Sequence, residues 1–111
     1  MSLRYFKAYG RVQRVMFRQT VMRAAIKRGL TAAAENLKVP DRDQVLFLLE
    51  GDNSKINEIV DFMRSGEELN SWHARVDRLE ELDSGPPMSE FKVTTANVDN
   101  FNWSPNVEFY I

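Results

Sequence analysis

Cysteine is absent from this 111-residue chain and histidine occurs once. No disulfide can form, and thiol nucleophiles and thiolate metal sites are excluded. The single histidine, His73, stands at a strand start and reads as a surface residue with no catalytic role. The acid pairs Glu67-Glu68 and Glu80-Glu81 are adjacent rather than convergent, so no metal site is expected. Long apolar runs are also missing. None approaches the ~20 residues needed to span a bilayer. The first apolar run carries Arg4 and Lys7, unlike a signal peptide, so the expectation is a cytoplasmic protein. Acidic residues are missing from the first 34 positions, which hold eight bases: Arg4, Lys7, Arg11, Arg14, Arg18, Arg23, Lys27 and Arg28. The remaining 77 residues carry seven bases and all 16 acids. A net charge of −1 therefore conceals a positive end, suited to a phosphorylated small molecule or to nucleic acid.

The composition is 43% hydrophobic and 28% charged, enough for one modest core and one domain. An alternating run from Leu3 to Ala8 reads as a strand, with Tyr5 and Tyr9 on the Leu3 face. A helical pattern follows from about Arg18 to Arg28, with Val21, Met22, Ala25 and Ile26 at helical spacing and Gly29 as its stop. Leu30 to Glu35 is read as a second strand, although its alanines favour a helix by propensity. Val39 to Asp43 reads as a turn. The apolar run Val45–Leu49 reads as a central strand. Gly51 to Ser54 offers N-cap residues for a second helix, whose Ile56, Ile59, Val60 and Met63 fall on one face. Ala74–Leu82 and Phe91–Thr95 read as further strands, separated by a rigid Ser84-Gly85-Pro86-Pro87 loop. The order β-α-β-β-α-β predicts an α+β, ferredoxin-like sandwich: one antiparallel sheet with two helices on one face. The last residues, Val107 to Ile111, alternate and could add an edge strand, or Trp103, Phe109 and Tyr110 could cover an apolar patch; the leading expectation is a strand-like extension packed on its own domain.

The stretch Gly10-Arg11-Val12-Gln13-Arg14-Val15-Met16-Phe17-Arg18 links the first strand to the first helix. A short strand-to-helix loop presents free N–H groups beside the positive end of the helix dipole, which suits phosphate. Arg18 at the loop exit adds a planar cationic fork.

These nine residues resemble the acylphosphatase signature Gly-x-Val-Gln-Gly-Val-x-Phe-Arg, matching at Gly10, Val12, Gln13, Val15, Phe17 and Arg18. Arg14 replaces the second glycine. Should that position require φ > 0, the replacement costs roughly 1 kcal/mol. Gly29 to Asn36 is similar to a second family pattern, Gly-Leu-x-Gly-Trp-Val-x-Asn, with Ala32-Ala33 in place of Gly-Trp. The resemblance spans about residues 5–95 and implies hydrolysis of acyl phosphates without a cofactor or metal. It implies that Gln13, Arg14, Val15, Met16, Phe17 and Arg18 form the phosphate loop. Arg18 then grips the phosphoryl oxygens, and Asn36 orients the attacking water. It implies a monomer acting on a small acyl phosphate, with phosphate or sulfate as product or mimic, and no membrane partner. Residues 1–95 would form the acylphosphatase-like domain and 96–111 an extension packed on it, with Trp103 a candidate to fill the space left at Ala32-Ala33. Two alternatives stand beside this reading. One is a phosphate-binding relative impaired by Arg14 and the alanines. The other is an RNA-binding ferredoxin-like domain, for which Val45–Leu49 offers only Phe47 as a stacking ring.

Overall fold

The structure is a computed structural model that describes residues 1–38, 40 and 43–111. Most of the turn expected at Val39 to Asp43 lies outside the described residues. The elements are β1 (Ser2–Arg11), α1 (Phe17–Lys27), β2 (Thr31–Asn36), β3 (Gln44–Gly51), α2 (Asn53–Arg64), β4 (Arg75–Leu82) and β5 (Val93–Thr94), with 3₁₀ turns at Met88–Glu90 and Val98–Asn100. The sheet runs β4-β1-β3-β2-β5, and every neighbouring pair is antiparallel. Both helices pack on one face, so the expected ferredoxin-like α+β sandwich is what forms.

Alternation along the strands decides which face each residue serves. Phe6, Ala8, Phe47, Ala32 and Ala34 join Val21, Met22, Ile56 and Met63 in the main core beneath the helices. The three alanines of β2 are strand residues despite their helix propensity. Gly29 stops α1 at φ 72°, and Leu30 N donates to Ala25 O at 2.8 Å, turning the chain back onto the sheet. Small side chains at Ala32 and Ala34 let α1 lie close to the sheet.

The opposite face is covered as well. Tyr5, Ala33, Leu48 and Phe91 form a second cluster there, joined by Met88 and Leu82. The Ser84–Pro87 loop crosses this face, and Tyr5 Oη donates to Pro86 O at 2.8 Å. The strand expected over Phe91–Thr95 shortens to Val93–Thr94, because Phe91 is spent on this cover rather than on pairing.

The tail folds back on the chain. Among the described residues it adds no strand to the sheet edge, and Phe109 pairs with Asn70 in an isolated bridge. Ser71 N donates to Glu108 O (2.9 Å), Tyr110 N to Leu69 O (2.9 Å) and Trp72 Nε1 to Asn106 O (2.7 Å). Ile111 is 4% exposed. The tail docks on the segment leading into β4, whose backbone groups are free of the sheet and accept it. The space at Ala33 is not filled by Trp103. Ala33 faces Phe91, whereas Trp103 packs against the core on the helix face. One residue of parity separates the two sides.

Candidate active site

The loop leaves β1 through a bulge between Tyr9 and Gly10, after which Gly10 and Arg11 pair with Val76 and Arg75 of β4. Gly10 has φ 137°, and a Cβ there would meet Arg75 O at 2.7 Å and Asp77 N at 2.8 Å. Only glycine satisfies both the dihedral and the approach of β4. Val12, Val15 and Phe17 then drive the loop into the core at 1%, 6% and 1% exposure. Their burial leaves the intervening residues to turn outward.

Arg14 and Met16 adopt left-handed backbone at φ 65° and 61°. The positive φ that the signature glycine implies is therefore present at Arg14, and the loop shape is achieved without glycine. Each non-glycine residue held there costs of order 1 kcal/mol. Met16 is also the N-cap of α1 and offers no side-chain cap. Among the described residues, the backbone N–H groups of Arg14, Val15, Met16, Phe17 and Arg18 find no hydrogen-bond partner. Five consecutive unpaired amides at an uncapped helix N-terminus are an anion cradle.

Arg14→Gly should therefore change little. Relief of ~1 kcal/mol of backbone strain is offset by ~0.5–1 kcal/mol of extra unfolded-state entropy. Urea unfolding is expected to stay within about 1 kcal/mol of the parent; a loss above about 2 kcal/mol would show that the Arg14 side chain braces the loop.

Two side chains complete the cradle. Arg18 is half-buried and has no hydrogen bond or ion pair among the described residues. Burial pulls its guanidinium below the usual arginine value, and the nearby Glu35 carboxylate opposes this. Its charge is thus desolvated without a protein partner, a state that favours an anionic ligand. Asn36 ends β2, opposite Val45 of β3, and its Oδ1 is buried with no partner. Arg18 and Asn36 both line two adjoining cavities. One, about 80 Å³, is lined by Val12, Arg14, Met16, Phe17, Arg18, Asn36 and Trp103. The other, about 390 Å³, is lined by Gln13, Arg14, Arg18, Glu35, Asn36, Leu37, Lys38 and Lys92. Four cations and one carboxylate border this wider cleft, so its field draws anions. That carboxylate is engaged: Glu35 Oε1 accepts the Lys92 backbone N–H at 2.6 Å.

The seven expected site residues therefore gather at one place, in different capacities. Gln13 contributes its side chain to the scaffold. Its Nε2 donates to Leu37 O (3.0 Å) and Gln44 O (2.8 Å), clamping the loop to the ends of β2 and β3 beside Asn36. Val15 contributes its burial and its carbonyl. That carbonyl accepts from Asn70 Nδ2 at 2.9 Å. Asn70 is fully buried. The same nitrogen reaches Thr20 Oγ1 at 2.8 Å, and its Oδ1 accepts from Trp72 N (2.9 Å) and Ala74 N (3.2 Å). Thr20 Oγ1 in turn donates to Met16 O at 2.7 Å. Asn70, Lys38, Lys92 and Trp103 are the site elements that sequence reasoning missed. Asn70-Ser71 carries only the signal of a turn.

His73 stays on the surface beside Glu68. No cluster of three potential metal ligands occurs among the described residues. No helix there is long and apolar enough to cross a membrane.

The antiparallel five-stranded sheet with two helices on one face defines a ferredoxin-like α+β domain, and its run of unpaired amides lies between the first strand and the first helix. A sequence model of the acylphosphatase family matches residues 4–100, and the chain belongs to that family. It is similar to the crystal structure of an acylphosphatase from Bacillus subtilis at 29% identity and a TM-score of 0.57, over 75% of this chain and 88% of that one.

Proposed function

We propose that the protein is an acylphosphatase that hydrolyses the carboxyl–phosphate anhydride of small acyl phosphates to a carboxylate and orthophosphate. The observation carrying this reading is the unpartnered Arg18 guanidinium and orphan Asn36 Oδ1 lining one cavity at the uncapped start of α1. The amides of Arg14 to Arg18 and the Arg18 fork hold the phosphoryl oxygens, where charge is greatest. Asn36 Oδ1 accepts a hydrogen bond from a water and orients it toward phosphorus. The water oxygen bonds to phosphorus as the bond from phosphorus to the acyl oxygen breaks. A water proton passes to a phosphoryl oxygen, and the acyl oxygen leaves as carboxylate. Carboxylate is a good leaving group, so no general acid is required. Asn36 is not a base, and the rate gain comes from positioning and charge stabilisation. The wider cleft, rimmed by Lys38 and Lys92, takes the acyl portion. Residues 1–95 form the catalytic domain in this reading and 96–111 its extension.

The left-handed backbone at Arg14 favours an active loop over the impaired alternative, since the glycine-like conformation is kept. The RNA-binding alternative is weakened by Phe47, which is fully buried between the sheet and α1 and offers no stacking face.

Purified protein should hydrolyse benzoyl phosphate in buffer containing a metal chelator, followed by loss of its ultraviolet absorbance. Orthophosphate should inhibit competitively. Absence of turnover over the uncatalysed rate would refute the assignment.

A further inference from the structure

The narrow cavity is walled by Arg14, Met16, Phe17 and Arg18 of the loop, by Asn36, and by one residue from far along the chain, Trp103. At about 80 Å³ it is about one fifth the volume of the adjoining cleft, about 390 Å³, so the narrower space suits the compact phosphoryl group. The adjoining cleft shares Arg14, Arg18 and Asn36 with it and provides a separate route for the rest of a substrate.

Trp103 is held as a fixed wall. Its Nε1 donates to Val98 O at 2.6 Å and its backbone N to Phe101 O at 3.0 Å. The Phe101 ring lies 5.3 Å from its own. Upstream, Asp99 accepts from Arg23 of α1 at 2.7 Å, and Asn97 Oδ1 accepts from Thr94 N at 2.8 Å. Downstream, the tail is pinned at Leu69 and Ser71. The indole is half-buried and its chain is tied down on both flanks.

We propose that Trp103 determines specificity: it closes the phosphoryl pocket so that only a phosphoryl group with no second substituent fits. Acyl phosphates enter with the acyl group in the Lys38–Lys92 cleft, and esters of the phosphoryl group are rejected by the indole. This inference rests on the loop being the phosphoryl site.

Two measurements test it. In the first, full-length protein carrying 5-fluorotryptophan is titrated with orthophosphate. The ¹⁹F resonance of Trp103, assigned by its absence in Trp103→Phe, should shift with the same constant as phosphate inhibition. Trp72, hydrogen-bonded to Asn106, should stay still. In the second, benzoyl phosphate hydrolysis is inhibited with methyl benzoyl phosphate. Trp103→Ala should improve binding of this ester relative to orthophosphate by about tenfold or more, the scale at which a pocket discriminates one carbon. Turnover with phosphate inhibition, but a silent Trp103 resonance and unchanged ester discrimination, would overturn the proposal and leave the acylphosphatase reading intact. No turnover, with the Trp103 resonance still responding to phosphate, would keep the wall and remove the hydrolase. Should Trp103→Ala fail to fold, the titration of the unmutated chain decides alone.

Discussion

Arg18→Ala is expected to lower kcat/KM for benzoyl phosphate by about 10²–10³-fold, the cost of removing one preorganised donor from a developing anion. The same substitution is expected to leave folding stability unchanged or raised by up to about 1 kcal/mol. The reason lies in the Arg18 environment. Burial disfavours its charge, and no hydrogen bond or ion pair among the described residues compensates. The folded protein alone therefore bears a cost that, in the proposed reading, a bound phosphoryl group relieves. Arg18→Lys keeps the charge but loses the two-pronged fork, and should fall between wild type and Arg18→Ala. Steady-state kinetics and urea unfolding on the same samples check both halves. Activity within threefold of wild type in Arg18→Ala would remove this residue from the mechanism.

Asn70→Ala should have the largest effect on stability, a loss of about 3 kcal/mol or more by urea unfolding. The substitution strands the Val15 carbonyl and the Trp72 and Ala74 amides, all of which pair with the buried Asn70 side chain. Each buried polar group left without a partner costs about 1–3 kcal/mol. Asn70→Asp is no rescue. It keeps the two acceptor contacts, but sets an oxygen against the Val15 carbonyl and places a charge in the core. Activity should fall along with stability, since Asn70 fixes both Val15 in the loop and Thr20 in α1. A loss below 1 kcal/mol would mean that water replaces the amide.

How much of this was legible depends on range. The path of the loop and the start of α1 were readable because their pattern is local: a strand, a glycine, two buried valines, a phenylalanine and an arginine close together, with Asn36 placed at the end of a short second strand. The α2 helix was readable from Ile56, Ile59, Val60 and Met63 on one face, with Asp52 accepting the Ser54 amide at 2.8 Å as its cap. The role of Asn70 was not, because its partners Val15 and Thr20 lie 55 and 50 residues away and no periodicity marks them. The path of the tail stayed open between alternatives for a related reason. Alternation at Val107 to Ile111 reports an extended chain with one buried side, but not whether its partner is a sheet edge or a loop. Ala33 shows the limit of motif reading. The position carries a tryptophan in the family pattern; here Ala33 shares the cluster of Tyr5, Leu48 and Phe91 on the sheet face away from the helices.

The strand order has a consequence for how the molecule comes together. In β4-β1-β3-β2-β5, only β2 and β3 neighbour one another in both sequence and space. Every other pairing joins strands far apart in sequence, which raises contact order and slows folding relative to a helical bundle. Gly10 and Arg11 acquire their shape only when β4 arrives, and Val15 only when Asn70, just ahead of β4, is seated. The cradle is therefore a late product of assembly. In the proposed reading, phosphate held by this loop binds the folded chain in preference to the unfolded one and so raises its stability.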